Sequence, residues 1–285
     1  MKVEVIEPHG FCMGVRAAVE KASRTLSLSS GKAVYCLHEL VHNEQVVADL
    51  KARGMRFVES LDDVPDGATV LFSAHGVAPA VRAEAQRRGL AVVDATCPFV
   101  ERAHRAVCDF AARGVPVVVV GRPEHAEVRG VMGECADARV VSTPEEVAAL
   151  PFPDGPVGVV CQTTLSHDTV CAVLDALRAR YPRLETPAAA DVCTATRDRQ
   201  RAVAEFVRGG GDGVLVLGSA GSSNTNRLVE VARAAGALFA ARAGTLEEVR
   251  ALNFGGVRRL GVTAGASTPE YLLQGVVTWC RENMV

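Results

Sequence analysis

The sequence predicts an α/β protein made of three similar modules with mostly parallel sheets. Three observations predict it. Short β-branched runs alternate with helical patterns almost throughout, joined by short connections with no low-complexity segment. Nearly every polar cluster falls just after an apolar run, which is where open α/β sheets bind ligands. Three cysteines, Cys12, Cys97 and Cys193, recur at similar intervals, each where a strand hands over to a helix.

Residues 3–7 read as the first strand. Residues 13–27 follow as a helix, with Val15, Ala18, Val19, Ala22 and Leu26 at helical spacing. Residues 33–37 form a strand ending in His38-Glu39-Leu40-Val41-His42-Asn43, with a helix from Glu44. Residues 69–73 lead into Ala74-His75-Gly76-Val77 and a helix near Pro79. Residues 91–94 lead through Thr96-Cys97-Pro98 into a helix reaching Arg113. Proline at a first helical position loses only an N–H that has no helical partner there. Residues 115–120 are continuously apolar, as in a parallel strand covered on both faces. They end in Gly121-Arg122-Pro123-Glu124-His125-Ala126-Glu127. Residues 139–142 and 158–161 are further strands, the second ending in Gln162-Thr163-Thr164-Leu165-Ser166 before a helix to Tyr181. Asp191-Val192-Cys193 precedes a helix over 196–208. The run Gly209-Gly210-Gly211 lies between a helix end and a strand start, so it reads as a C-cap and loop rather than a phosphate cradle. Residues 214–217 end in Gly218-Ser219-Ala220-Gly221-Ser222-Ser223-Asn224. Residues 238–241 and 260–263 are the last strands, and Pro269 opens the terminal helix.

The chain has 285 residues, 48% of them hydrophobic and 5% aromatic, enough for two or three small domains. Its net charge is −2, with acids and bases interspersed, which gives no electrostatic case for nucleic acid or a membrane surface. The N-terminus lacks a signal-peptide pattern, and the apolar runs fall far short of a membrane span. Nine cysteines, an odd number scattered along a long chain, argue for a reducing, cytoplasmic compartment rather than a disulfide framework. Cys36, Cys108, Cys135, Cys161, Cys171 and Cys280 lie within apolar or helical patterns and read as small core residues.

The other three cysteines sit at helix starts, where free N–H groups and the helix dipole favour thiolate. Three thiolates are one short of a closed zinc site, whereas an iron–sulfur cluster so held keeps one iron open. No C-x-x-C occurs, and three buried cysteines remain the other reading of the spacing. His42, His75 and His125 each follow a strand end, and imidazoles there can donate to a phosphate or carboxylate. Singly, each also reads as a structural histidine. Ser222, Ser223 and Asn224, and likewise Ser267, stand before helices, as an anion site or as ordinary N-caps. No Gly-Lys-Ser/Thr ending follows the glycines, which excludes a Walker-type loop. Glu127, two residues past His125, is a proton donor if it lies beside a metal centre; otherwise it complements the helix dipole. Thr163 and Thr164 are placed to hold a substrate hydroxyl or relay a proton.

The motifs GFCMGV, HELVHN, FSAHGV, DATCP, HAEVRG, QTTLS, DVCTATRDRQ, GSSNTNRL and VTAGAS occur in the order found in one family. From Gly10 to Ser267 the chain resembles the 4-hydroxy-3-methylbut-2-enyl diphosphate reductases of the LytB family, enzymes of the non-mevalonate isoprenoid pathway. The resemblance implies a pseudo-threefold trefoil around a central cavity, with modules at 14–96, 97–192 and 193–285 plus 1–13. It implies that Cys12, Cys97 and Cys193 hold a 4Fe–4S cluster, with the substrate hydroxyl on the open iron. His42, His75, Ser222, Ser223, Asn224 and Ser267 match positions that grip the diphosphate. Glu127 matches the acid that supplies protons, with Thr163 and His125 contacting substrate and assisting. The substrate is an allylic diphosphate, the products are isopentenyl and dimethylallyl diphosphate, and the electron donor is a ferredoxin or flavodoxin.

The chain departs from the family pattern at a few places. Thr194 stands where a tyrosine is usual, and Arg197-Asp198 precede Arg199-Gln200. Ala126 and Arg129 replace a proline and a glutamate around Glu127, and an asparagine common before Ser222 is missing. No presumed ligand or acid is lost. The departures keep open a paralogue acting on another anionic substrate, and a cluster-binding sensor without turnover. A zinc hydrolase using the same cysteines and histidines is the third alternative.

Overall fold

The computed structural model describes residues 1–187 and 193–284. The chain begins with β1 (Lys2–Val5), α1 (Met13–Leu28), β2 (Val34–Leu37), α2 (Glu44–Ala52) and β3 (Met55–Val58). It continues through β4 (Thr69–Phe72), α3 (Pro79–Arg87), β5 (Ala91–Asp94), α4 (Pro98–Ala112), β6 (Val117–Val120) and α5 (Ala126–Met132). Then come β7 (Arg139–Val141), β8 (Pro156–Cys161), α6 (His167–Arg180), β9 (Arg183–Glu185) and α7 (Thr194–Arg208). The last elements are β10 (Gly213–Leu217), α8 (Ser223–Ala234), β11 (Phe239–Ala243), α9 (Leu246–Arg250), β12 (Arg259–Ala264) and α10 (Glu270–Asn283).

The strands form three four-stranded sheets, ordered β1-β12-β10-β11, β3-β2-β4-β5 and β7-β6-β8-β9. Among the described residues every pairing is parallel. The inner strands explain why. β2 (VYCL), β6 (VVVV) and β10 (GVLVL) are buried along their whole length, and such continuous apolar runs need cover on both faces. The edge strands β1, β5 and β9 are partly exposed and carry charged residues, as edges do. Helices supply the cover. On α4, Val100, His104, Val107 and Phe110 form one buried stripe, and a Cβ on Gly158 of β8 would lie 2.5 Å from the Phe110 ring. That close approach requires glycine in the middle of a strand.

Two compact units result. The first, Met1–Arg16, His42–Ala48 and Thr194–Val285, contains the sheet of β1, β12, β10 and β11. Its two cores are centred on Leu215, Leu260 and Val276, and on Val214, Val216 and Leu228. The second, Ala17–Val41 and Asp49–Cys193, contains the other two sheets, with cores around Phe72, Val117 and Val118.

Most sequence-level boundaries hold to within a residue or two. The glycine run after α7 is a helix end, with Gly210 at φ +88°. Strands β3 and β9 are additions. β3 (MRFV) and β9 (RLE) are too short and too charged to stand out as apolar runs. Helix α7 starts at Thr194 rather than Thr196. The expectation of six core cysteines needs correction. Cys36, Cys161 and Cys280 are buried, but Cys108 is exposed and Cys135 and Cys171 are half-buried. Cys108 lies beside the buried stripe of α4 rather than on it. Asp191 and Val192, read as the turn before Cys193, lie outside the described residues.

Candidate active site

The three sheets share one connectivity, and the candidate residues occupy the same places in each. Within each sheet, a first strand (β2, β6 or β10) lies between a second (β3, β7 or β11) and a third (β4, β8 or β12). A fourth strand (β5, β9 or β1) forms the edge beside the third. After the first strands come His42, the pair His125 and Glu127, and Ser222 to Asn224. After the third come His75, Thr163 and Ser267. After the fourth come Cys97, Cys193 and Cys12. All are at carboxyl ends of strands, where α/β sheets place ligands.

The cysteines repeat in detail. Cys12 immediately precedes α1, Cys97 is the N-cap of α4, and Cys193 immediately precedes α7. Each donates its backbone N–H to the loop after the neighbouring third strand. Cys12 bonds Ala266 O at 3.0 Å, Cys97 bonds Ala74 O at 3.0 Å, and Cys193 bonds Thr163 O at 3.3 Å. The Cys12 Sγ also accepts the Val15 N–H at 3.5 Å. The turn at Cys97 is fixed by Asp94, whose Oδ1 accepts the Thr96 N–H at 2.9 Å and the Thr96 hydroxyl. Burial raises the Asp94 carboxyl, but Thr96 and Arg82 outweigh it and hold it below its ordinary value. Three thiols at helix starts are a donor set suited to thiolate ligation. Cys12 belongs to the first unit and Cys97 and Cys193 to the second. Among the described residues, no three His, Cys, Asp or Glu side chains are grouped to hold a single metal ion.

The second unit also carries the acid. Glu127 lies in the first turn of α5 and is 2% exposed. Thr163 donates both its N–H, to Oε1 at 2.8 Å, and its hydroxyl, to Oε2 at 2.9 Å. Burial pushes the Glu127 carboxyl up to about 7, and the two Thr163 bonds oppose this without cancelling it. His125 is the N-cap of α5, its Nδ1 accepting the Glu127 N–H at 3.2 Å. That bond fixes Nδ1 as the acceptor and makes Nε2 the protonated nitrogen of the neutral ring. The rings of His75 and His125 meet edge to face, with centroids 5.8 Å apart. Ser73 Oγ lies 3.4 Å from His75 Nδ1.

The first unit presents polar groups of a different kind. Ser222 caps α8 by accepting the Thr225 N–H at 3.2 Å. The Asn224 Oδ1 accepts the Ala266 N–H at 2.9 Å, which ties this loop to the one after β12 and leaves Nδ2 buried without a hydrogen-bond partner. Ser223 opens α8. Ser267 donates its hydroxyl to His42 O at 3.0 Å. Of these residues only Ser222 is a helix cap; Ser223 and Asn224 lie in the first turn of α8, and Ser267 precedes Pro269, the N-cap of α10.

Sequence reasoning missed several supporting residues. Arg199, buried on α7, donates to Gly10 O at 2.8 Å and to His9 O at 3.3 Å, bracing the loop before Cys12. Ser219 donates to Glu44 at 3.2 Å. His104 on α4 bonds Glu134. The buried stripe of α4 would have singled out His104 in the sequence; Arg199 and Ser219 had no such signal. Of the departures from the family pattern, Thr194, Arg197 and Arg129 are exposed, and Ala126 and Asp198 are half-buried.

A buried acid pushed up toward neutrality, hydroxyl and imidazole groups at strand ends and a set of thiols at helix starts fit an α/β enzyme of redox or metal-assisted chemistry. The LytB protein family model matches residues 3–281, and the chain belongs to that family. It is 45% identical over 289 residues to the 4-hydroxy-3-methylbut-2-enyl diphosphate reductase of Azotobacter vinelandii, covering 99% of this chain and 90% of the relative. It is 46% identical over 285 residues to 4-hydroxy-3-methylbut-2-enyl diphosphate reductase 2 of Mycobacterium bovis, covering 98% and 86%. Among solved structures, the E-1-hydroxy-2-methyl-but-2-enyl-4-diphosphate reductase of Plasmodium falciparum superposes with a TM-score of 0.92 at 33% identity, covering 98% of this chain and 87% of that one.

Proposed function

We propose that the chain reduces 4-hydroxy-3-methylbut-2-enyl diphosphate to isopentenyl and dimethylallyl diphosphate. Two electrons and two protons convert the carbinol C–O bond into C–H and release water. The observation that carries this reading is Glu127, buried, clamped by Thr163 and pushed up to about 7. An acid tuned to neutrality has a use in proton delivery and none in surface solubility. The names borne by the relatives support the substrate.

Cys12, Cys97 and Cys193 would hold a 4Fe–4S cluster, which when bound supplies the electrons and an open iron as Lewis acid. This chain's own residues bind the anion and move the protons. His42, His75, Ser222, Ser223, Asn224 and Ser267 offer the donors that a diphosphate needs, two of the serine loops lying at helix starts. Glu127 holds one proton on a carboxyl oxygen. Thr163 reverses from donor to acceptor when that oxygen is protonated, so its hydroxyl is free to relay. His125 contacts substrate through Nε2. A ferredoxin or flavodoxin is the fitting electron donor.

Anaerobic turnover of the hydroxylated allylic diphosphate with a reduced dye tests the reading. Both products are expected from wild type, and a loss of roughly a hundredfold or more in kcat from Glu127→Gln. Absence of product from protein replete with iron and sulfide would defeat the substrate assignment and favour another anionic substrate or a sensor. Colourless protein with stoichiometric zinc would defeat the cluster.

A further inference from the structure

One buried titratable group has no part in that chemistry. His104 lies on α4, two turns past Cys97, and its Nδ1 is 2.7 Å from Glu134 Oε1. A carboxylate only accepts, so Nδ1 carries the proton. The other Glu134 oxygen accepts the Cys108 thiol at 3.2 Å. His104 Nε2 is buried without a hydrogen-bond partner. If His104 merely filled space, an apolar side chain would do so without stranding a buried nitrogen.

Its position explains its presence. A Cβ on Gly76, the residue after His75, would sit 2.8 Å from His104 Nε2 and 3.2 Å from Val100 Cγ1. Gly76 has φ +74°, so no other residue adopts this turn without strain. On the other side, a Cβ on Gly130 of α5 would lie 3.4 Å from the Gly76 carbonyl and from His104 Cε1. A Cβ on Gly133, the C-cap of α5, would collide with Ala78. Three glycines thus bring the His75 loop against the backbone of the Glu127 helix and against the side chains of the Cys97 helix, with the imidazole at their junction. Glu134 follows the last turn of α5 and Glu127 lies in its first, roughly 10 Å away along the helix. A tilt at the Glu134 end therefore displaces the Glu127 carboxyl from Thr163.

We infer that His104 is a positioning residue: its bond to Glu134 and its edge against Gly76 lock α5 so that Glu127 stays seated on Thr163. The inference rests on the reading of Glu127 as the proton donor.

The test uses cluster-loaded protein prepared anaerobically, with His104→Leu and His104→Asn. Leucine keeps the bulk and removes the donor; asparagine keeps an N–H at the Nδ1 position. Amide hydrogen exchange is read at Thr163 and along 126–133, against β6 as reference. In His104→Leu, exchange is expected to quicken roughly tenfold at Thr163 and α5 but not in β6, and kcat to fall roughly tenfold or more with KM within about twofold. Asparagine should restore both to within about threefold of wild type. Glu134→Ala should reproduce the leucine pattern without disturbing the α4 core, and it decides the matter if His104→Leu fails to fold. Wild-type exchange at Thr163 in both the leucine and alanine variants, uniform quickening that includes β6, or asparagine indistinguishable from leucine would each overturn the inference. The exchange readout stands even if the wild type turns over no substrate, so its failure is separable from failure of the assigned activity.

Discussion

Glu127 has an ordinary carboxyl value of 4.5 and is pushed up to about 7 by burial. Below 4.5 it is neutral whether the chain is folded or not. As pH rises from there, the unfolded chain ionises while the folded one must keep its proton or hold a buried carboxylate. The stability present below 4.5 is therefore lost progressively up to and through pH 7, by about 3 kcal/mol in total. Glu127→Gln removes this dependence. Urea unfolding of the two proteins at pH 5 and pH 8, in matched metal states, should show the wild type losing ground that the variant keeps; parallel pH slopes would count against a raised carboxyl. As the proposed proton donor, the same group should make turnover fall above about pH 7, where it is spent as carboxylate. Thr163→Val deletes the hydroxyl bond to Glu127 but not the N–H bond. One of the interactions favouring carboxylate is then gone, so the alkaline limb of kcat should move to higher pH. A limb that stays in place, or moves down, would mean that the Thr163 hydroxyl does not govern this acid.

At the scale of elements, the proposed function gives the start of α8 two jobs at once. Ser222 caps α8 through the Thr225 N–H, and the proposal gives it the diphosphate as well. Ser222→Ala should cost about 1 kcal/mol of stability through the lost cap, and should raise KM for the diphosphate by roughly tenfold. Bound iron should not change. Chemical denaturation, steady-state kinetics and iron analysis separate these effects; a stability loss with unchanged KM would leave Ser222 as a cap alone. The sequence could not choose between cap and ligand at Ser222 and Asn224; the first is a cap, while the second ties its loop to Ala266, a partner far along the chain. Strands such as β6 and β10 were legible because a continuous apolar run has few other uses, and α4 because Pro98 and its buried stripe mark it. Short charged strands such as β3 and β9 carry no such pattern; their existence depends on neighbours far along the chain. The Asp94 turn was readable because it is local. The bonds from Thr163 to Glu127, from Asn224 to Ala266 and from Arg199 to Gly10 were not, since each joins residues that only folding makes adjacent. Cys108 shows the limit of helical patterns: one residue's rotation from the stripe moves a thiol from core to surface.

Across the whole molecule, three sheets of the same connectivity each supply one cysteine at the same place, after the edge strand and before a helix. The nine cysteines therefore fall into distinct sets, and metal analysis tells them apart. Buried Cys36 and Cys280 have thiols pushed up by burial to about 12 and about 11, unsuited to ligation at neutral pH. Cys108, though on the surface, is likewise pushed up to about 11, by partial desolvation of its sulfur against the neighbouring chain and then by Glu134. Anaerobically purified wild type should contain about four iron and four sulfide per chain. Cys12→Ser, Cys97→Ser and Cys193→Ser would each remove one of the three proposed anchors, so each single variant should lose most of its iron and its brown colour. Serine at 36, 108 or 280 should retain both. Because a ligand that binds only the folded state stabilises it, stripping the metal with chelator should lower the wild-type Tm and leave the three ligand variants nearly unmoved. The contrast between the sets is what matters, since any core cysteine can lower stability but only a ligand abolishes the response to chelator. Retention of iron in any one of the three ligand variants would remove that residue from the set, and retention in all three would remove the cluster from the proposal.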